Sequence, residues 1–176
     1  YAGEQEDIGT LGENHVYFLP YLMGERSPHN DPNARGTFIG ITMDTTRAQM
    51  TQAVLEGVAF AIRDSFEVAR SLGISIDRTM ICGGGAKSPL WKKIMANVLN
   101  IQVDVPQIEE GPAMGAAMLA AVADGTFASV KEAADCVVRV KETISPDPAL
   151  AAAYDRQYRK FAQIYPAVRE LFPKIL

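Results

Sequence analysis

Cys82-Gly83-Gly84-Gly85-Ala86-Lys87-Ser88-Pro89 is the stretch of this chain whose residue types could do chemistry. Three consecutive glycines let a flat ring or a phosphate approach main chain that side chains would otherwise shield. Ser88 is suited to cap a helix and Pro89 to open it, so the stretch leads into a helix N-terminus with its unpaired N–H groups and partial positive charge. A strand that runs through glycines into a helix start can hold a nucleotide. The same glycines also serve to make a tight strand-to-helix turn. Two phosphate-loop patterns are excluded. G-x-x-x-x-G-K-[ST] needs Gly directly before Lys, where Ala86 stands, and G-x-G-x-x-G would put its last glycine at Ser88 or Pro89.

The flanking elements must position this turn. Met80-Ile81-Cys82 reads as the end of a buried strand over Thr79–Cys82, and the next helix runs from Pro89 to Asn100 with Leu90, Ile94 and Val98 on one side. Upstream, Val16–Leu19 reads as a strand, followed by an irregular segment from Tyr21 to Gly36 that Pro28 and Pro32 keep from being helix or central strand. A loop of that length is more often functional than idle; its charges Glu25, Arg26, Asp31 and Arg35 are expected to pair. Thr37–Thr42 is an extended, edge-like segment. Thr46 to Leu72 is the longest helix, capped by Thr45 or Thr46 and ended by Gly73. Met50, Ala53, Val54, Gly57, Val58 and Ala61 form its apolar face, and Glu56 is expected to be solvated or ion-paired on the other. Gly57 in mid-helix marks a close approach of another backbone.

Downstream, Val103–Val105 is a short strand. Pro112 opens a helix, Ala113–Ala123, whose small residues suit tight packing on a sheet. Val130–Ala134 is a short helix, and Cys136–Ile144 reads as a half-buried strand. Asp147–Leu171 is a terminal helix whose stripe of Tyr154, Tyr158, Phe161, Ile164, Tyr165 and Val168 is packing. Alternating strands and helices give an α/β sheet with parallel central strands. Residues 1–14 are polar and expected to be loose.

With 48% hydrophobic and 22% charged residues in 176, the composition is that of a globular domain with one good core. A net charge of −4 supplies no basic face for nucleic acid. No apolar run reaches membrane-spanning length. Cys82 and Cys136 read as two buried free thiols, which places the chain in the cytoplasm. His15 and His29 lack metal-ligand spacing.

Three segments carry a resemblance to the C-terminal, ATP-binding domain of the FGGY carbohydrate kinases, of the sugar kinase–actin superfamily. Gly36-Thr37-Phe38-Ile39-Gly40-Ile41, then seven residues to Gln49-Met50, then Ala53-Val54-Leu55-Glu56, is similar to the family's C-terminal signature. Gly83 to Trp91 resembles its adenosine-binding turn, and Glu110-Gly111-Pro112-Ala113-Met114-Gly115 the helix start that follows. The resemblance implies an actin-like, ribonuclease H-like α/β fold over residues 1–145, with residues 146–176 as a helical extension packed on it. It implies that Gly84, Gly85 and Ala86 present backbone to adenine or ribose, that Ser88 and Pro89 line the adenine pocket, and that Gly83 serves the turn. The Gly111–Gly115 helix start is a candidate second wall.

The wording of Pro20–Pro28 and of Asp31–Gly36 is similar to that of the xylulose kinases, which implies transfer of the γ-phosphate of ATP, with Mg²⁺, to the 5-hydroxyl of D-xylulose. A related kinase of ribulose, gluconate or glycerol, and a non-catalytic nucleotide-binding module, remain open. The resemblance further implies an N-terminal domain that carries the sugar site and the catalytic aspartate, an early hairpin on the ATP phosphates, and a homodimer. The chain starts at Tyr1, after those parts. No catalytic residue and no metal ligand is therefore assigned within it, and the uncovered sheet edge and apolar surface are expected to leave it marginally stable or self-associating.

Overall fold

The structure, a computed structural model, describes residues 7–108 and 111–175. Two small sheets and seven helices carry the fold among them. β1 (Tyr17–Leu19) pairs antiparallel with β2 (Thr37–Ile39), with Phe18 opposite Phe38. β3 (Arg78–Met80), β4 (Gln102–Pro106) and β5 (Val140–Ile144) form the second sheet in that order. The expected parallel pairing is confined to β3–β4, and β5 runs antiparallel to β4. The helices are α1 (Arg47–Ser71), α2 (Pro89–Leu99), α3 (Gly111–Ala123), α4 (Val130–Val137), α5 (Pro148–Phe161), α6 (Ile164–Val168) and α7 (Phe172–Ile175).

The longest helix begins on a reciprocal cap. The Gln49 N–H donates to Thr46 Oγ1 at 3.2 Å, and the Thr46 N–H donates to Gln49 Oε1 at 2.9 Å. Midway along, Gly57 does what its position predicts. A Cβ there would sit well inside van der Waals contact of the Phe18 carbonyl oxygen, so β1 lies directly on the helix backbone. The buried face differs from the predicted one. It carries Gln52, Ala53, Glu56, Gly57, Phe60 and Asp64, while Val54 turns outward.

Glu56 is the largest correction. Expected in solvent, it is 3% exposed. Its Oε1 accepts from Gln52 Nε2 at 2.8 Å, from the Tyr154 hydroxyl at 3.1 Å and from the Gly12 N–H at 3.3 Å. Burial pushes its carboxyl up from the usual carboxylate range, and these three donors only partly offset that. Around it, Gln157 Nε2 donates to the Gly12 carbonyl at 3.0 Å, Asn14 Nδ2 donates to the Gln49 carbonyl at 2.9 Å, and the Tyr17 hydroxyl donates to Gln157 Oε1. Residues 10–14 are therefore tied to α1 and α5 rather than loose; residues 1–6 lie outside the described residues.

The main core lies where α2 packs between α1 and α5. Ile94, Val98 and Leu99 of α2 meet Phe60 of α1, Tyr154 and Phe161 of α5, and Phe172 of α7. The aromatic stripe of the C-terminal segment is packing, as predicted. Its helix is not continuous, because Pro166 and Pro173 lack the N–H groups that a helix through 162 and 169 would need.

The 21–36 segment is a closed loop. The Glu25 carboxylate accepts from the backbone N–H groups of Ser27, His29 and Asn30, at 2.6, 2.7 and 3.1 Å. Arg35 donates to the Pro32 and Ala34 carbonyls, and Asp31 accepts from the Tyr165 hydroxyl at 2.9 Å. The expected charge pairs are thus replaced by side chains that satisfy the loop's own backbone.

Three further expectations change. Both cysteines are free, but exposed. Cys136 sits in α4, which Ser129 caps by accepting from the Glu132 N–H, so the strand that follows begins only at Val140. The small-residue helix α3 has no buried residue, so its small side chains are not explained by packing on the sheet.

Candidate nucleotide-binding site

Met80 ends β3 half-exposed at the edge of the three-stranded sheet, where a buried strand was expected. The chain then passes Ile81 and Cys82 and reverses at Gly83, whose φ of 81° and ψ of −171° are accessible essentially to glycine alone. Gly84–Lys87 makes a single 3-10 turn, closed by the Ala86 N–H donating to the Gly83 carbonyl at 3.1 Å and the Ser88 N–H donating to the Gly85 carbonyl at 3.0 Å. Ser88 then caps α2, its Oγ accepting from the Trp91 N–H at 3.2 Å, with Pro89 as the first helical residue.

A cleft of about 490 Å³ opens beside this turn. Val54, Leu55 and Val58 of α1 form an aliphatic wall, and Gly84, Gly85, Ser88 and Trp91 line the rest. Of the residues expected to meet a nucleotide, Gly84, Gly85 and Ser88 are together in this lining. Ala86 is not among them, because its side chain points into the protein at 4% exposure, and Pro89 is exposed outside the cleft lining. The start of α3 comes close to the turn from another side. A Cβ at Gly111 would lie 3.5 Å from Cys82 Sγ, although Gly111 does not line the cleft. Glu109 and Glu110 lie outside the described residues.

The glycines differ in what surrounds them. A Cβ at Gly85 would lie 3.0 Å from both Cδ1 and Nε1 of Trp91, a tight contact to which the indole would have to yield. Among the described residues a Cβ at Gly84 would meet nothing within 4 Å, and its φ lies outside the left-handed region, so the space beside it is open to a ligand lying on the turn. The cleft volume lies within the range of small-molecule sites, and its mostly apolar walls suit a flat heteroaromatic ring. Among the described residues no group of His, Cys, Asp and Glu side chains is placed to hold a metal ion, and no helix is long and apolar enough to cross a membrane.

The sequence did not single out Val54, Val58 and Trp91 as lining residues. The four-residue step from Val54 to Val58 was legible, but it read as core. Only the turn of α1, set by the Phe18 contact at Gly57, puts those side chains on the cleft.

Residues 5–123 match the FGGY family of carbohydrate kinases, C-terminal domain. The chain belongs to this family. It is 36% identical over 166 residues to a xylulose kinase of Staphylococcus epidermidis, a match that covers 94% of this chain and 34% of that protein. Among solved structures, it is similar to a xylulose kinase from Brucella ovis at TM-score 0.85 and 39% identity, over 97% of this chain and 35% of that one. It is also similar to a gluconate kinase from Lactobacillus acidophilus at TM-score 0.89 and 26% identity, over 99% and 35%. The chain thus spans about a third of the length of the relatives it matches. Its α/β architecture is that of the actin-like ATPase fold shared by these sugar kinases, as the resemblance implied.

Proposed function

We propose that this chain is the ATP-holding part of a sugar kinase that transfers the γ-phosphate of ATP to the 5-hydroxyl of D-xylulose. The observation that carries the nucleotide reading is the cleft lined by Gly84, Gly85 and Ser88, with open space beside Gly84 among the described residues. In this reading, the base enters between the aliphatic wall of Val54, Leu55 and Val58 and the Gly84–Gly85 backbone, next to Ser88. Ala86, packed inward, supports the turn. Pro89 fixes the start of α2.

Phosphoryl transfer asks the protein mainly for alignment and charge stabilisation. The share of this chain is to hold the base and so set the direction of the phosphates. The carboxylate that takes the acceptor proton, the sugar site and the remaining phosphate contacts are assigned to the part of the protein outside this chain. Mg²⁺, which the family resemblance implies, would neutralise charge on the phosphates, and no residue here is assigned to it. The location we propose is the cytoplasm.

The wording of residues 20–36 and the xylulose kinase relatives favour D-xylulose. The likeness to a gluconate kinase keeps a second reading, the same site serving a different sugar, a sugar acid or a polyol. Two experiments test the proposal. Trp91 is the single tryptophan of the chain, so its fluorescence reports on the cleft. Titrating the 176-residue chain with ATP should perturb that fluorescence, and Gly84→Ala should weaken the response. In the protein that carries this chain, a KM for ATP that Gly84→Ala leaves unaltered overturns the nucleotide reading. ADP production by the protein that carries this chain, with D-xylulose, ribulose, gluconate and glycerol in parallel, decides the sugar.

A further inference from the structure

We propose that Trp91 is the residue that selects the donor base, and that the cleft recognises a purine by its face rather than by its exocyclic groups. This rests on the reading that the cleft holds a nucleotide. The wall opposite the glycine turn consists of Val54, Leu55 and Val58, which carry no hydrogen-bonding side-chain group and so cannot distinguish an amino from an oxo substituent. The Ser88 hydroxyl oxygen accepts from the Trp91 main-chain N–H, which fixes its place at the rim of the cleft.

The indole of Trp91 is the one aromatic ring in the lining. It is held from two directions, its main-chain N–H by the Ser88 cap and its pyrrole edge by the Gly85 backbone, where a Cβ would come within 3.0 Å of Cδ1 and Nε1. It is half-buried, and among the described residues no acceptor lies within hydrogen-bonding distance of its Nε1–H. A rigid ring with one unspent donor beside an aliphatic slot binds a flat heteroaromatic by apolar contact. That donor can also bond a ring nitrogen, and adenine, guanine and hypoxanthine all present N3 and N7 as acceptors.

The consequence for specificity is quantitative. A site that hydrogen-bonds a substituent rejects the analogue lacking it by about 10⁴-fold or more, whereas an apolar slot discriminates by only about 10- to 200-fold. ATP, GTP and ITP should therefore bind the 176-residue chain within about tenfold of one another. CTP and UTP, with a single small ring and less apolar area to bury, should bind at least about fivefold more weakly. Trp91→Phe keeps a flat ring but removes the donor, and should weaken all three purine nucleotides alike, by about three- to tenfold. Trp91→Ala removes the wall, and should also narrow the gap between purines and pyrimidines.

The experiment is isothermal titration calorimetry of wild type, Trp91→Phe and Trp91→Ala with the five nucleotides, with circular dichroism to establish that each variant is folded. In the active protein, the same variants should raise KM for ATP by a larger factor than they change the KM for the sugar. ATP bound more than about 100-fold tighter than GTP and ITP by the wild type would overturn the inference and leave the nucleotide reading standing. A folded Trp91→Phe chain with unaltered affinities would also overturn it. In the active protein, a KM for ATP unaltered by Gly84→Ala and by Trp91→Ala alike would remove the nucleotide reading itself, and this inference with it. The wild-type ratio among nucleotides needs no variant, so the test stands even where Trp91→Ala fails to fold.

Discussion

The seam between β1 and α1 and the turn before α2 both carry glycine, in opposite surroundings. At the seam, Gly57 is wedged against the Phe18 carbonyl, and the neighbouring polar groups are satisfied internally by Glu56, Gln52, Gly12 and Tyr154. At the turn, Gly84 lines the cleft, and among the described residues nothing lies within 4 Å of where its Cβ would be. One region is closed on itself, and its residues are accounted for by one another. The other leaves room beside the turn that no described residue fills. Substitutions that separate stability from binding test the contrast.

The largest effect is expected at the seam. Gly57→Val should cost about 3 kcal/mol or more, since backbone rather than a flexible side chain blocks the added atoms; urea denaturation should show a loss of cooperative folding. Glu56→Ala should cost about 2–4 kcal/mol, because three donors lose their acceptor inside the protein.

Glu56→Gln tests the same cluster through pH. The buried carboxyl titrates above its unfolded value, so the folded state holds its proton over a window where the unfolded state has released it. That contribution is complete below about pH 4.3, the ordinary glutamate value, and is lost as pH rises through the raised folded value. Glutamine carries no such loss. The stability of Glu56→Gln relative to wild type should therefore increase from pH 4.5 upward, and a flat difference would mean that the carboxyl is not held protonated by burial.

At the turn the expected signs diverge. Gly84→Ala should leave the midpoint of unfolding unchanged or raise stability by about 0.4–1 kcal/mol, while weakening ATP at least about tenfold. Loss of both together would place Gly84 in the closed class with Gly57. The smallest effect belongs to the helix cap. Thr46→Ala should cost about 1 kcal/mol without touching nucleotide affinity.

Local physics was legible in the residues and long-range geometry was not. The Ser88 cap with Pro89 behind it, the ends of α1 and the backbone approach at Gly57 all follow from residues close in sequence or from one residue type. Glu56 was misread because two of its three partners, Gly12 and Tyr154, lie 44 and 98 residues away. The face of α1 was misread because Val54 and Val58 are apolar for a cleft rather than for the core. The strand expected to begin at Cys136 was misread because alternating Val and basic residues carry a period of two, which the Ser129 cap overrides for the first residues. Pro166 and Pro173 were plain in the sequence and should have divided the terminal helix.

The Ser88 hydroxyl both starts α2 and borders the cleft, and α2 is the helix most deeply set in the core. The indole side of the cleft is therefore carried on the first turn of a helix whose later turns are packed in the core. Occupancy should register as slowed amide exchange at Trp91 and Lys92, fading toward Leu99, so the far end of α2 acts as a fixed reference against which a bound base can be timed.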